Sequence, residues 1–177
     1  FWVVPEPSTR IAALLNGEAD LIATLPAILA ERVKQAPNVR VEASTVSVQP
    51  IWGGLIVDRP ALADKRVRHA INHAVNKDAL VERLLRGYGR PMGQPCPAET
   101  SCWNPDLKPY AFDPEKAKAL LKEAGVEGLK IKLNFPTGVV PQGPLIAQAV
   151  ASDLQRVGIT AEIVQDEWSV FAGKLFD

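Results

Sequence analysis

His69 and His73 stand four residues apart in a helix-prone run, a spacing that lets one helix offer two imidazoles to a metal. That chemistry needs more than two ligands. No Glu stands beside His69 to act as a base, and no third ligand completes a set. On a helical wheel both imidazoles fall opposite the Val67, Ile71 and Ala74 stripe, alongside Arg66 and Asn72, which reads as a solvated polar face. Cys96 and Cys102 are too widely spaced for a C-x-x-C redox motif and too few for zinc. Two readings of the pair stay open, a small local disulfide or two free thiols. Gly87-Tyr-Gly-Arg-Pro-Met-Gly93 is glycine-rich but follows a helix, and Pro91 stops a new helix from opening there, so a dinucleotide turn is excluded. Ser44, Ser47, Ser101, Ser152 and Ser169 lack the glycines of a nucleophile elbow. Two histidines on one basic face leave little for a Ser-His-Asp arrangement. Asp166 and Glu167 are ordinary surface carboxylates unless buried together. Neither an enzyme nor a resident cofactor is expected.

Binding has more to work with. Trp52, in a Gly-Gly run, and Trp103, in a Pro-rich loop, are each either a core plug or a ligand platform. The segment Pro136-Thr-Gly-Val-Val-Pro-Gln-Gly-Pro144 has nine residues, against about two to six in an ordinary βα connection. It presents backbone amides without long side chains and leads into a helix N-terminus, where amides favour anionic or carbonyl partners. In open α/β sheets, ligands bind beyond the carboxyl ends of strands, which is where this loop belongs.

The elements that must position these residues are readable from caps and periodicity. Ser8 reads as an N-cap, with Ile11, Leu14 and Leu15 on one face and Gly17 as a stop. Asp20 to Thr24 reads as a short buried strand. Pro26 opens a helix to about Gln35, which Pro37 ends, and Val39, Val41 and Ala43 alternate as a strand. Ile51 to Val57 is an apolar run whose two glycines mark either a bulge or the close approach of a backbone or ligand. Asp64 caps a helix with Val67, Ala70, Ile71, Ala74 and Val75 as its stripe. Asn76 caps the next, through Leu85 to Gly87. Gly87 to Pro109, with five prolines, is an extended loop too apolar to be a linker. Asp113 and Pro114 start a helix with Ala117, Leu120, Leu121 and Ala124 buried and Gly125 closing it. Leu129 to Phe135 alternates as a strand, Ile146 to Val157 has helical spacing up to Gly158, and Ile159 to Ile163 alternates again. This last section predicts a β-α-β unit with parallel strands and a right-handed crossover. The fold class is α/β.

Charge and length narrow the partners. The 177 residues carry 20 basic and 20 acidic side chains, with no basic run for nucleic acid or a membrane surface. The longest apolar stretch, Leu21 to Ala30, is about half a bilayer span and contains Pro26. The chain has neither an initiator Met nor a charged-then-apolar leader, and both ends fall inside apolar patterns, as expected of a piece of a longer protein.

Read in order, several segments resemble one family. Val4 to Asp20 is similar to its "r-x-x-a-L-x-x-G-e-v-D-i" helix and strand. Asp64-Lys-Arg-Val-Arg-His-Ala-Ile-Asn-His-Ala-Val-Asn-Lys-Asp-Ala-Leu80 is similar to "D-x-r-V-R-x-A-i-n-x-A-v-n-k-d-a-i". Gln94 to Asn104 resembles its "n-p-i-p-p-x-x-W" loop, and Tyr110 to Gly125 its "y-D-P-e-k-A-k-a-L-L-k-e-A-G" helix. Asp153 to Trp168 resembles the stretch that ends in "e-W". The family is that of the solute-binding proteins of bacterial peptide and nickel ABC importers, extracellular family five. Asp58 stands where that family usually has Asn, and the Cys96-to-Cys102 loop is a local variation.

The resemblance implies a periplasmic-binding-protein-like (type II) lobe with a mixed β-sheet flanked by helices. Residues 1–48 would be the end of the first-lobe segment and crossover, and 49–177 part of the second, incomplete lobe. It implies closure of two lobes on a small solute, an oligopeptide or dipeptide, in the periplasm or at the cell surface. The partners would be ABC permease subunits, with the membrane reached only through the transporter or a lipid anchor outside this chain. Thr137, Gly138, Val139, Gln142 and Trp52 would face the ligand, while the acidic residue that holds a peptide's amino terminus would lie past residue 177. The same fold also serves as the ligand-sensing domain of transcription regulators.

Overall fold

The structure is a computed structural model that describes residues 1–44 and 50–176, the last two by backbone only. Ser47 and the division expected near residue 48 lie outside the described residues.

The core is built where three helices carry small and branched residues on facing stripes. Asp64 caps α4 (Lys65–Ala74), its carboxylate accepting the Arg66 amide at 2.8 Å. Asp113 caps α6 (Pro114–Glu123) the same way through Lys116, and Pro114 occupies the first helical position, where no amide is needed. Ala70 and Ala74 on α4 meet Ala117 on α6, and their small side chains let the two helix axes approach closely. Val67, Ile71 and Leu121 belong to the same buried cluster, which Leu154 on α7 (Gly143–Arg156) and Val157 and Ile159 just after it complete.

Gly125 (φ +68°) ends α6, and Gly158 (φ +88°) turns the chain from α7 into the second strand; an L side chain would be strained at either position. The two strands, β1 (Lys130–Pro136) and β2 (Thr160–Asp166), pair in parallel from Lys130 with Thr160 to Pro136 with Asp166. The expectation of a β-α-β unit with parallel strands therefore holds. α8 (Trp168–Phe176) follows and touches β1. α3 (Pro60–Ala63) precedes α4 and α5 (Lys77–Arg83) follows it, the latter capped by Asn76, which accepts the Ala79 amide at 3.0 Å. Asp153, buried on α7, accepts the Asn76 amide at 2.9 Å and the Arg156 guanidinium at 2.8 Å, so one carboxylate ties α7 to the α4–α5 turn.

The N-terminal part differs from its expectation. α1 (Pro7–Leu15) starts two residues early: Glu6 is the cap, its carboxylate accepting both the amide and the hydroxyl of Ser8. Ser8 is thus a capped residue rather than the cap. α1 buries Ile11 and Ala13, but Leu15 is exposed. α2 (Ala27–Lys34) runs as expected between Pro26 and Gln35. The segments Asp20–Thr24, Val39–Ala43 and Ile51–Val57 are not strands, and Leu21 is 82% exposed. A strand is held by a neighbour's amides and carbonyls, and none of these segments meets one among the described residues. Arg10 holds the first of them by other means, its guanidinium donating to the carbonyls of Val4, Pro5 and Thr24.

The loop from Gly87 to Pro109 is ordered by closures of its own. Cys96 and Cys102 form a disulfide with their Cα atoms 5.7 Å apart. Gln94 pairs with the backbone of Asn104 through both amide atoms, at 2.6 and 3.0 Å, and Arg90 bridges to Glu99 at 2.8 Å. No helix among the described residues is long and apolar enough to cross a membrane.

Candidate ligand-binding loop

Residues 137–142 connect the carboxyl end of β1 to α7, the place that open α/β sheets use for ligands. Thr137 is fixed by the sheet beneath it. Its amide and hydroxyl donate to the Asp166 carbonyl at 2.8 and 3.1 Å, and its oxygen accepts the Gln165 side-chain amide at 3.2 Å. The hydroxyl proton is therefore committed to the protein, and Thr137 acts as the loop's anchor. Beneath it, the Asp166 carboxylate accepts both Lys174 at 2.8 Å and Asn134 at 3.0 Å, and those two donors hold it below the usual carboxylate range. This support was not foreseen from sequence; it depends on a register that sets Pro136 opposite Asp166.

Beyond the anchor, the backbone is bare. Gly138 (φ +71°) makes the turn, with nothing within 4 Å of where a Cβ would stand. Among the described residues, the amides of Gly138, Val139, Val140 and Gln142 donate to no backbone carbonyl, while Gly143 donates to Val140 at 3.0 Å. Val139 is exposed. Gln142, the residue before α7, sits in the left-handed region (φ +58°), and its side-chain Nε2 and Oε1 are buried without a hydrogen-bond partner among the described residues. Both features carry a cost, and residues held this way cluster at functional sites. Gly143 packs closely under the Phe135 ring: a Cβ there would lie 3.3 Å from it, so the ring would have to shift slightly to admit one. The Gly138, Val139, Val140 and Gln142 amides lie in the loop that leads into the 14-residue α7, where backbone donors suit a carbonyl or carboxylate.

Trp52 is 63% exposed, and among the described residues no hydrogen bond or ring contact joins it to the loop. Trp103 is half-buried within its own loop. Two clefts in the described residues lie elsewhere, one of about 610 Å³ lined by Glu31, Asp78, Glu82 and Arg86, the other of about 340 Å³ beside Lys77.

The histidines need correction. His73 is only 7% exposed: its Nδ1–H donates to the Ala111 carbonyl at 2.8 Å, and its own carbonyl accepts the Asp113 amide at 2.9 Å. Tyr110 packs edge-on to its ring at 5.2 Å and tilted against His69 at 5.4 Å. The face that sequence marks as solvated is covered by the 110–113 segment. No group of three or more metal-ligating side chains forms among the described residues. His69 is held below its usual 6.5, first by burial and then by Lys65, His73, Arg68 and Lys116. The unfolded chain therefore binds this proton more readily than the fold does. Stability contributed by His69 should be complete above the ordinary imidazole value and fall as pH drops through it toward the lowered one. Thermal melts from about pH 8 to about pH 5 should show this decline, and His69→Gln should make it shallower. An unchanged slope would show that other groups dominate.

Comparison with known proteins fits this geometry. Residues 1–176 match the model of the bacterial extracellular solute-binding proteins, family 5, middle part. The dipeptide-binding protein of Escherichia coli K12 is 34% identical over 183 residues, covering all of this chain and 34% of that protein. The nickel-binding periplasmic protein of the same strain is 30% identical, covering 97% and 36%. Among solved structures, NikA from Brucella suis in complex with Fe(III)-EDTA superposes with a TM-score of 0.81 at 30% identity, covering 97% of this chain and 38% of that one. DppA from Helicobacter pylori in complex with the peptide STSA gives 0.78 at 29%, covering 96% and 32%. The chain thus spans about a third of the length of the relatives it matches. Its α/β fold is of the type II periplasmic-binding-protein kind, and the family is one of solute binders, not enzymes. The chain belongs to the bacterial extracellular solute-binding proteins, family 5.

Proposed function

We propose that this chain is part of an extracytoplasmic protein, periplasmic or at the cell surface, that captures a dipeptide or oligopeptide for an ABC importer. Residues 1–48 end one lobe's segment and cross over, and 49–177 supply part of the other lobe; the two close around the solute by a hinge motion. The observation that carries this reading is the donor set of Gly138, Val139, Val140 and Gln142 in the loop that leads into α7. Peptides present carbonyls and a terminal carboxylate, the acceptors that such amides match. The named dipeptide-binding relative and the peptide complex among the solved structures point the same way. Trp52, exposed and flanked by Gly53 and Gly54, offers a flat apolar platform for a side chain. The unpaired strand-like segments Asp20–Thr24 and Ile51–Val57 fit a place between lobes, where strands of a longer chain would pair with them. The importer's permease subunits are the protein partner, and contact with the membrane comes through them or through an anchor outside this chain.

Uptake tests the substrate class. Disrupting the gene in its host should lower the uptake of labelled dipeptides and tripeptides and leave nickel, haem and glutathione uptake unchanged. A fall confined to one of the latter three would move the substrate to that class. Unchanged uptake of all four would remove the transport reading.

A further inference from the structure

A cleft of about 340 Å³ opens where the start of α5 meets the segment leading into α6. Pro91, Pro109, Tyr110 and Phe112 give it apolar lining, completed by Ala111, Lys77 and Asp78. Tyr110 is held in place by the rings of His69 and His73, so this wall is preformed. Lys77 is partly buried and forms no ion pair among the described residues; its Nζ donates to the Asn72 carbonyl at 2.9 Å. Lys34, Lys118 and Lys174, by contrast, are each tied to a carboxylate.

We propose that Lys77 is a carbonyl-modification site: an aldehyde bearing an aromatic ring seats in this cleft and condenses with Nζ to a Schiff base. Packing of the ring on the proline and aromatic walls places the carbonyl in the cleft that Lys77 lines, beside an amine whose one hydrogen bond, to the Asn72 carbonyl, it gives up on reacting. In the condensation the lone pair of the neutral amine attacks the aldehyde carbon, and the C=O π pair moves to oxygen. A proton then passes from nitrogen to oxygen through solvent, giving a carbinolamine. Loss of water leaves the C=N bond, and no oxidant or reductant takes part. Burial favours the neutral, nucleophilic form of this amine and lowers its proton affinity, with Asp78 partly opposing. The site shares no residue with the 137–142 loop and stands independently of the solute reading.

The test treats the intact chain with benzaldehyde and cyanoborohydride at neutral pH and reads benzylation of each lysine by peptide mass spectrometry. Lys77 should be labelled at least about tenfold faster than the exposed Lys65 and Lys130. Formaldehyde, which has no ring to seat, should show a preference of about threefold or less. Phe112→Ala should remove most of the benzaldehyde preference and leave the Lys65 rate unchanged. Benzylation of Lys77 no faster than that of Lys65 overturns the proposal, and equal selectivity with formaldehyde overturns the ring seat. Both comparisons use the unmodified sequence, so they stand whatever the stability of the Phe112 variant.

Discussion

Leu121→Ala is expected to remove about 2–5 kcal/mol of folding free energy, the range for truncating a fully enclosed leucine. Leu121 is 2% exposed and lies on α6 in one buried cluster with Val67 and Ile71 of α4. Truncation there deletes apolar burial and leaves a cavity whose alanine-rich walls have little side chain with which to collapse. Domains of this size are stable by about 5–15 kcal/mol, so the loss is a large share of the total. Leu120 is the internal control. Helical spacing marks both leucines for the core, yet Leu120 is only partly buried at its edge, and Leu120→Ala should cost clearly less. Urea denaturation of the two variants measures this. Equal costs, or a Leu121 cost under about 1 kcal/mol, would mean that α6 is not packed as described.

Gly93→Ala is expected to cost about 1–3 kcal/mol, the usual range for forcing atoms into filled space. A Cβ at this position would stand 2.7 Å from the Pro109 nitrogen and press on the Lys108 carbonyl. Those are backbone atoms and cannot rotate aside. The Gly87-to-Pro109 loop crosses itself here, and the crossing sets the path of Pro109 and Tyr110 over His73. Gly89→Ala supplies the contrast, since its Cβ would meet only the Leu85 Cδ1 at 3.2 Å, the free end of a flexible side chain. Thermal melts should show a clear drop for Gly93→Ala and little change for Gly89→Ala. Equal melting temperatures would argue against the crossing.

Why some elements were legible and others were not follows from where each one finds its partners. α4, α5 and α6 carry their own start signals in Asp64, Asn76 and Asp113, and these caps form with atoms two or three residues away. β1 and β2 were legible because both partners lie within one short β-α-β unit. Asp20–Thr24, Val39–Ala43 and Ile51–Val57 have strand-like patterns too, but a pattern records which side chains favour a sheet and not whether a neighbouring strand is at hand. His73 shows the same limit. Its place on a polar helix face is a local property, whereas its burial comes from Ala111, 38 residues on. In the candidate site, loop length and composition singled out the Pro136-to-Pro144 segment, and the family resemblance pointed to Thr137, Gly138, Val139 and Gln142 within it. The hydrogen bonds that tie Thr137 to Asp166 and Gln165, and the left-handed Gln142, required the register of the sheet.

The central claim is that residues 137–142 form one side of a solute cleft whose other side is largely supplied by a second lobe. Pockets for small ligands cover most of the ligand surface, so one wall alone leaves both the loop and the bound peptide hydrated. The direct measurement is an NMR titration of the isotopically labelled 177-residue chain with a pool of dipeptides and tripeptides. It is predicted to show dissociation constants in the millimolar range or weaker, about −4 kcal/mol at best. The largest amide shifts should fall at Gly138, Val139, Val140 and Gln142. Micromolar binding would contradict the account, because the whole site would then lie within these residues, and shifts centred away from the loop would contradict its place in the fold.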